Sequence, residues 1–250
     1  MKKSNKLLVL ALSLFLTGCS ALDDLKVVIS SLDSGVATKT DTVTVGLDGD
    51  FDLSKVPSYT GSPYVILNDN KANFTDDEKS VPYGFEYYSD LDDLGRCQGT
   101  LSLVGKETMP TEERGSIGMI KPTGWHTVKY DFVDGKYLYN RCHLQGYQLT
   151  GENANEKNLI TGTRYLNIDG MLDFENQIAD YVENTGNHVL YRVTPIFKDD
   201  ELVARGVHME AYSLEDNGEG LQFNVFAYNV QPGVDIDYAT GESQESDIVL

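Results

Sequence analysis

Residues 139–144 read Tyr139-Asn140-Arg141-Cys142-His143-Leu144 and stand at the end of a run with the alternating pattern of a β-strand. This run begins at residue 136, directly after the pair Asp134-Gly135, and residues 125–131 form a similar run before that pair. An Asp-Gly pair between two alternating runs is a strong signal for a β-hairpin. We therefore expect the arginine and the histidine to lie at the end of the second hairpin strand, facing a polar loop.

The sequence pattern changes period after the polar segment 150–157. Apolar side chains then recur at intervals of three and four, the spacing of one helix face, at Met171, Phe174, Ile178, Tyr181 and Val182. Gly186 is a natural end for this helix. Strand patterns return in residues 189–197, 202–212 and 221–230. The sequence thus predicts an α+β fold, with an antiparallel sheet core and one helix that crosses it after a hairpin.

Four side chains of this region have the chemistry that phosphodiester hydrolysis needs. His143 can act as a neutral base, because the unperturbed pKa of imidazole is about 6.5. The guanidinium of Arg141 can fork onto phosphate oxygens. Asn167 offers a neutral oxygen ligand to Mg²⁺, which prefers oxygen ligands and keeps several waters. Glu175, about two helical turns further on, can orient water bound to the metal.

Each of these side chains also has a structural alternative. His143 could be a sheet histidine that hydrogen bonds satisfy, Asn167 could cap the following helix, and Glu175 could be a solvated carboxylate. Further substrate contacts are expected from Arg192 on a neighbouring strand and from Asn158, which could instead position the loop or a water on the metal. Three histidines lack comparable neighbours and are expected to be structural: His126, His188 and His208.

The segment Asn140-Arg141-Cys142-His143, followed by Asn167 and Glu175, resembles the DNA/RNA non-specific endonucleases, which are ββα-metal (His-Me finger) nucleases. Within this family the chain is similar to the streptococcal secreted DNases and DNA-entry nucleases. The family's usual tetrad is Asp-Arg-Gly-His, so this chain has Asn and Cys at the first and third positions. The resemblance extends over residues 59–238 and includes three further segments, 146–151, 157–163 and 171–176.

This resemblance implies a ββα-metal motif inserted in the antiparallel sheet. It also implies an endonuclease that cuts DNA with little sequence preference, with RNA as a further candidate substrate, and that leaves 5′-phosphate ends. His143, Arg141 and Glu175 would be catalytic, and Asn167 would hold one Mg²⁺, which Mn²⁺ could replace. The alternative is a non-catalytic surface lipoprotein that uses the same fold as a binding module.

The N-terminus has the pattern of a bacterial export signal. Lys2, Lys3 and Lys6 precede an apolar run over residues 7–16, which is too short to span a bilayer as a permanent helix. The run ends in Leu16-Thr17-Gly18-Cys19, which resembles the lipobox, where cleavage precedes a cysteine that receives lipid. A simple secretory signal with an incidental cysteine is the alternative. We expect a cell-surface lipoprotein anchored to the membrane through Cys19.

Composition divides the chain into four expected parts. These are a signal peptide (1–18), a lipid-anchored tether rich in Ser, Thr, Asp and Gly (19–55), the endonuclease domain (56–240) and an acidic tail (241–250). Mobility is expected from Asp235 onward. Cys97 and Cys142 remain for the exported domain; an extracytoplasmic protein could pair them, but free thiols are the default.

The chain is strongly acidic, with a formal net charge of −19. Such a protein is a poor general binder of polyanions, because its bulk charge repels phosphates. We therefore expect any nucleic-acid site to be local and to rely on a metal and a few arginines.

Overall fold

The structure, a computed structural model, describes residues 26–28, 42–44 and 51–246. Two short strands, β1 (Lys26–Val28) and β2 (Thr42–Thr44), pair antiparallel within the expected tether. The expected signal peptide and Cys19 lie outside the described residues. Within those residues, no helix is long and apolar enough to cross a bilayer.

The remaining elements alternate strands with short helical segments. In chain order the strands are β3 (Tyr64–Ile66), β4 (Glu86–Tyr88), β5 (Thr100–Val104), β6 (Tyr139–His143), β7 (Leu159–Thr163), β8 (Val189–Ile196), β9 (Gly206–Ser213), β10 (Gln222–Tyr228), β11 (Val234–Ile236) and β12 (Ser243–Glu245). The helices are α1 (Tyr147–Thr150) and α2 (Leu172–Thr185), with a π-helix (Leu166–Met171) directly before α2. Single 3₁₀ turns lie at Leu53–Lys55, Asn68–Asn70, Glu78–Ser80 and Glu156–Asn158.

Six strands form one antiparallel sheet in the order β3-β10-β9-β8-β5-β4. All eight residues of β8 are buried, because alternate side chains face two different layers. On one face Tyr191 and Val193 belong to a large core with α2, β6 and β7. On the other face Leu190 packs with Phe74 and Phe85 of the preceding segment. The sheet is therefore covered on both sides.

Strands β6 and β7 form a separate antiparallel pair, with His143 opposite Leu159. Gly162 permits this pairing, because a Cβ at that position would overlap the Sγ of Cys142. Cys142, like Cys97, is a buried free thiol. The π-helix and α2 follow β7, and three side chains of α2 enter the core beside the sheet: Phe174, Ile178 and Val182. This β-β-α unit lies on one face of the sheet.

The predicted helix is confirmed, since α2 ends at Thr185 and Gly186 adopts the left-handed conformation with φ 74°. The predicted hairpin is only partly right. Between residues 125–131 and 136–143 the structure has a single bridge, Lys129 to Tyr137, and β6 pairs instead with β7. An alternating pattern specifies a strand but not its partner, and β7, buried at all five residues, covers β6 more completely.

Residues on both sides of the expected endonuclease domain (56–240) take part in the fold. Phe51 and Leu53 pack with Phe226, so the folded unit includes residues that the sequence placed in the tether. In residues 235–246, where the sequence predicts mobility, β11 pairs with β12 and the Tyr139 hydroxyl donates to the carbonyl of Gly241 at 2.9 Å. Residues 247–250 lie outside the described part of the chain.

Arg192 lies inside the protein, at the sheet, and not in a substrate-binding position. Its guanidinium contacts Glu78 at 2.7 Å and Glu210 at 2.6 Å, and it donates to the carbonyl of Asn73 at 2.8 Å. The expected substrate contact of Arg192 is therefore corrected: two buried carboxylates and a backbone oxygen engage the cation. Its role is to hold the segment around Asn73 and Glu78 against β8 and β9.

Replacement of Arg192 by Met should destabilise the protein strongly, because Glu78 and Glu210 would stay buried without this cation. The expected loss in the free energy of unfolding is about 3–5 kcal/mol, measured by urea denaturation. A matched control is Lys157→Met, which removes an exposed pair with Asp90 at 2.6 Å and should leave the unfolding midpoint nearly unchanged. Similar midpoints for both variants would contradict this role of Arg192.

Candidate active site

A cleft of about 730 Å³ opens beside the β-β-α unit. Its lining includes the four residues that the sequence predicts to be catalytic or metal-binding: Arg141, His143, Asn167 and Glu175. Strand β6 supplies the first two, the π-helix the third and the first turns of α2 the fourth. Packing of this unit on the sheet thus brings together residues that are up to 34 positions apart in the chain.

His143 is held at both ring nitrogens and is only 6% exposed. Its Nε2 lies 2.8 Å from the backbone oxygen of Asn153, and its Nδ1 lies 3.0 Å from Nη2 of Arg114. A carbonyl only accepts and a guanidinium only donates, so this arrangement requires a neutral ring with its proton on Nε2. Burial and the charge of Arg114 lower the pKa of His143 to about 4, against the hydrogen bond to Asn153. The imidazole of His143 therefore stays neutral at pH values well below 6.5, the unperturbed pKa of histidine.

Asn153 and Arg114 are functional neighbours of His143 that the sequence reasoning missed. Asn153 belongs to the polar segment 150–157, and Arg114 lies 29 residues before the histidine in a segment without helix or strand. Neither stands at a motif spacing from His143. Only the tertiary fold brings them to the ring, so no local signal in the sequence could have found them.

Glu175 is a buried carboxyl group with an altered titration. Burial raises its pKa to about 7, and the nearby charge of Arg114 lowers it in part. Gly146 lets the chain pass close to it, since a Cβ there would lie 2.8 Å from the carboxyl carbon. Among the described residues no hydrogen bond or ion pair satisfies this carboxyl group. The solvated-carboxylate alternative is therefore wrong, and the group faces the cleft with unused oxygen atoms.

Asn167 lies within the π-helix and lines the cleft. The capping alternative is wrong, because Tyr165 precedes the π-helix and Met171 precedes α2, and neither end has a side-chain cap from Asn167. Its amide makes no hydrogen bond within the described residues. Residues 51–246 contain no group of three His, Cys, Asp or Glu side chains arranged for a metal. The amide oxygen of Asn167 and the unpartnered Glu175 carboxyl are hard oxygen donors, and this donor set fits Mg²⁺.

Three arginines and a single acidic residue line the cleft, although the protein as a whole is acidic. Arg141 stacks over the ring of Trp125 at 4.0 Å and donates to the carbonyls of Gly118 and Ile120. Arg164 contacts Asp134 at 2.8 Å. The third arginine is Arg114. The local concentration of cations agrees with the expectation of a local site for a polyanion.

The remaining candidate residues lie elsewhere. Asn158 is fully buried; its Oδ1 accepts from the Gln145 amide at 2.8 Å and its Nδ2 donates to the Gln145 carbonyl at 3.0 Å. The substrate contact expected of Asn158 is thus corrected in favour of the alternative, because its amide fixes the chain just after His143. Three histidines lie outside the cleft lining, as expected: His126, His188 and His208.

Comparison with known proteins places this geometry in a family. A family model described as DNA/RNA non-specific endonuclease matches residues 75–214. This is more than half of the 250 residues, and the chain belongs to that family. It is therefore a nuclease, and the binding-module alternative is set aside. Two solved structures that resemble the chain hold a divalent metal, magnesium in one and zinc in the other.

Solved structures with the same fold include streptococcal nucleases. The chain is 25% identical to NucA from Streptococcus agalactiae with magnesium bound, with a TM-score of 0.67 over 78% of this chain and 93% of NucA. The metal-free form of NucA gives 26% identity and a TM-score of 0.65, over 78% and 92% of the two chains. The zinc-bound Sda1 nuclease, at 24% identity and a TM-score of 0.61 over 74% and 97%, shares the fold. The α+β fold and the branch are those that the sequence predicts.

Replacement of Arg114 by Ala should raise the pKa of both buried groups. Without the guanidinium, protonation of His143 no longer meets a nearby positive charge, so its pKa should rise above about 4. The Glu175 carboxylate loses a stabilising charge, so its pKa should rise above about 7. Titrations followed by NMR of the two side chains measure both shifts. Arg164→Ala is the matched control, and it should change neither value; equal titrations in the Arg114 variant and the wild type would contradict the assigned cause.

Proposed function

We propose that this chain is a secreted, lipid-anchored, Mg²⁺-dependent endonuclease that hydrolyses DNA with little sequence preference, with RNA as a further candidate substrate. The observation that carries the proposal is the meeting of a neutral imidazole, a free amide oxygen, a buried carboxyl group and three arginines in one cleft. Low sequence preference follows because these groups suit phosphates, which are the same at every position of a nucleic acid.

His143 would act as the general base through Nδ1. Its Nε2 proton is committed to the Asn153 carbonyl, so Nδ1 carries the lone pair that can take a proton from water. In the structure Arg114 donates to that lone pair. A phosphate oxygen is a charged acceptor and competes well against a neutral ring nitrogen for a guanidinium. Substrate binding would thus draw Arg114 to the phosphate and free Nδ1 for water.

Asn167 would hold the metal through its amide oxygen, with Glu175 nearby. When bound, Mg²⁺ would neutralise charge on the phosphoryl oxygens and on the departing 3′-oxygen. Glu175 would accept hydrogen bonds from water in the cleft and so orient it, and Arg141 would contact the phosphate. Attack of water on phosphorus with departure of the 3′-oxygen leaves a 5′-phosphate. If the products carry 5′-phosphate and 3′-hydroxyl ends, a DNA ligase should join the fragments without prior phosphorylation.

Replacement of His143 by Ala should lower the single-turnover cleavage rate by roughly two to four powers of ten, the usual contribution of a general base. DNA binding should be retained, because the imidazole does not contact the phosphate. Arg141→Ala should weaken DNA affinity as well as turnover, because a guanidinium contacts both the ground state and the transition state. His126→Ala, outside the cleft, is the matched control. A folded His143→Ala protein that cuts at nearly the wild-type rate would refute this mechanism.

Metal removal should abolish cleavage reversibly. Chelator should stop the reaction, and Mg²⁺ or Mn²⁺ at a concentration on the order of millimolar should restore it, since one neutral amide holds the ion weakly. Asn167→Ala should shift the metal titration of the rate to higher concentration; binding of Mn²⁺ followed by electron paramagnetic resonance gives the same comparison without turnover. An unchanged titration would assign the metal to other residues.

The proposed anchor is a lipid on Cys19, after removal of residues 1–18, with the following segment as tether. Support comes from the lipobox-like Leu16-Thr17-Gly18-Cys19. Cys19→Ala should prevent lipidation and release the protein from the membrane fraction, while nuclease activity is retained. Mass spectrometry of the mature N-terminus checks both the cleavage site and the lipid. An unmodified Cys19 within a longer mature chain would contradict the anchor.

A further inference from the structure

Tyr137 lies at the edge of the catalytic cleft, in line with the base and the cation of β6. Tyr137, Tyr139, Arg141 and His143 all line the cleft. They do so because alternate residues of an extended chain point to the same side. At about 3.3 Å per residue, the six positions between Tyr137 and His143 span roughly 20 Å. The row of side chains from His143 to Tyr137 is thus long enough to run beside several nucleotides of one strand.

Tyr137 differs from the other aromatic residues of the cleft in its free surface. Its side chain is 48% exposed. Both Tyr137 and Trp125 carry a cation over the ring, Lys129 at 4.4 Å and Arg141 at 4.0 Å, but Trp125 is half-buried and packs against a buried cluster. Tyr139 is buried, and its hydroxyl donates to the backbone carbonyl of Gly241. The hydroxyl of Tyr147 donates to the backbone carbonyl of Glu112. Tyr137 is thus the aromatic side chain of the cleft that is most available to a ligand.

The position of the Tyr137 ring is fixed by its neighbours. Its backbone forms a bridge with Lys129, and the amide of Leu138 donates to the carbonyl of Val128 at 3.0 Å. The Lys129 ammonium lies 4.4 Å from the ring centroid. A ring that is both exposed and fixed loses little conformational entropy when a flat ligand stacks on it.

The charge of the protein indicates what kind of contact this site must supply. With a net charge of −19, the protein as a whole repels a polyanion. Two cleft arginines are already engaged, Arg141 by backbone carbonyls and Arg164 by Asp134. Stacking of a nucleobase on an aromatic ring needs no excess of positive charge and is worth about 1–3 kcal/mol per base. Such a contact can offset part of the electrostatic cost of binding.

We propose that Tyr137 stacks on an unpaired nucleobase of the strand being cut, so that the enzyme prefers single-stranded or locally unpaired nucleic acid. The faces of paired bases are covered by their neighbours in a duplex, whereas an unpaired base can turn out onto an aromatic side chain. This inference rests on the proposed nuclease function of the cleft and names its substrate class.

Abasic scanning tests the proposal directly. The substrates are single-stranded oligonucleotides with one normal phosphodiester bond and phosphorothioate bonds elsewhere, and an abasic site moves one nucleotide at a time away from the normal bond. Wild-type enzyme should lose about 5- to 150-fold in affinity at one or two adjacent positions, the loss expected for one stacked base. Tyr137→Ala should show the same loss with the intact oligonucleotide and no further loss at those positions.

Two variants serve as controls. Tyr137→Phe should keep wild-type affinity, since the ring and not the hydroxyl makes the contact. Phe132→Ala removes another exposed aromatic residue, 53% exposed but outside the cleft lining, and should also keep wild-type affinity. For wild-type enzyme, affinity for the duplex of the same sequence should be lower, and Tyr137→Ala should leave that value unchanged.

Three results would overturn the proposal: no position sensitive to base removal, an equal loss on single strand and duplex for Tyr137→Ala, or an equal loss for Phe132→Ala. The abasic scan is read from single-turnover cleavage of the normal bond with Mg²⁺, which fixes the register, and the dependence of the rate on enzyme concentration gives the affinity. The comparison of intact single strand with duplex is made by fluorescence anisotropy in chelator, so that the stacking site is also tested without cleavage. Failure of the wild-type enzyme to cut any strand with Mg²⁺ would instead count against the proposed function.

Discussion

The packing of helix α2 and the β6–β7 pair against the central sheet is the constraint on which the cleft depends. Ile178 and Val182 of the helix share one core with Tyr191 and Val193 of the sheet and with Cys142 and Leu144 of the β6 region. None of these core residues lines the cleft, yet their packing sets the distance between the strand of His143 and the carboxyl group of Glu175. The chemistry is carried by polar groups, and apolar contacts position them.

Burial acts in the same direction on the two titrating groups of the cleft. It favours the neutral imidazole of His143, whose pKa falls to about 4, and the neutral carboxyl of Glu175, whose pKa rises to about 7. Between these values both groups are uncharged in the free protein, and the arginines alone give the cleft its charge. A higher pH, or a cation close to Glu175, favours the charged form of this carboxyl group.

The local sequence pattern predicted some elements of the fold, whereas others depend on contacts between distant parts of the chain. The three- and four-residue spacing and Gly186 placed helix α2 within one residue of its observed start, and the motif at 140–143 with Asn167 and Glu175 indicated four residues that line the cleft. The partner of β6, the burial of Arg192 and the folded residues after Asp235 depend on contacts far apart in the chain. Arg114 illustrates the limit, because an arginine in a loop carries no pattern, and only the fold brings it to His143.

The hydrogen bond from Tyr139 to Gly241 joins the strand that carries His143 to the hairpin of β11 and β12. Residues 102 positions apart must therefore both be present before β6 has all of its neighbours. A ribosome makes the chain from its N-terminus, so Gly241 becomes available only after all of β6 and β7 has been made. Until then β6 lacks this contact, and the β-β-α unit reaches its final packing only after the hairpin β11–β12 has joined it.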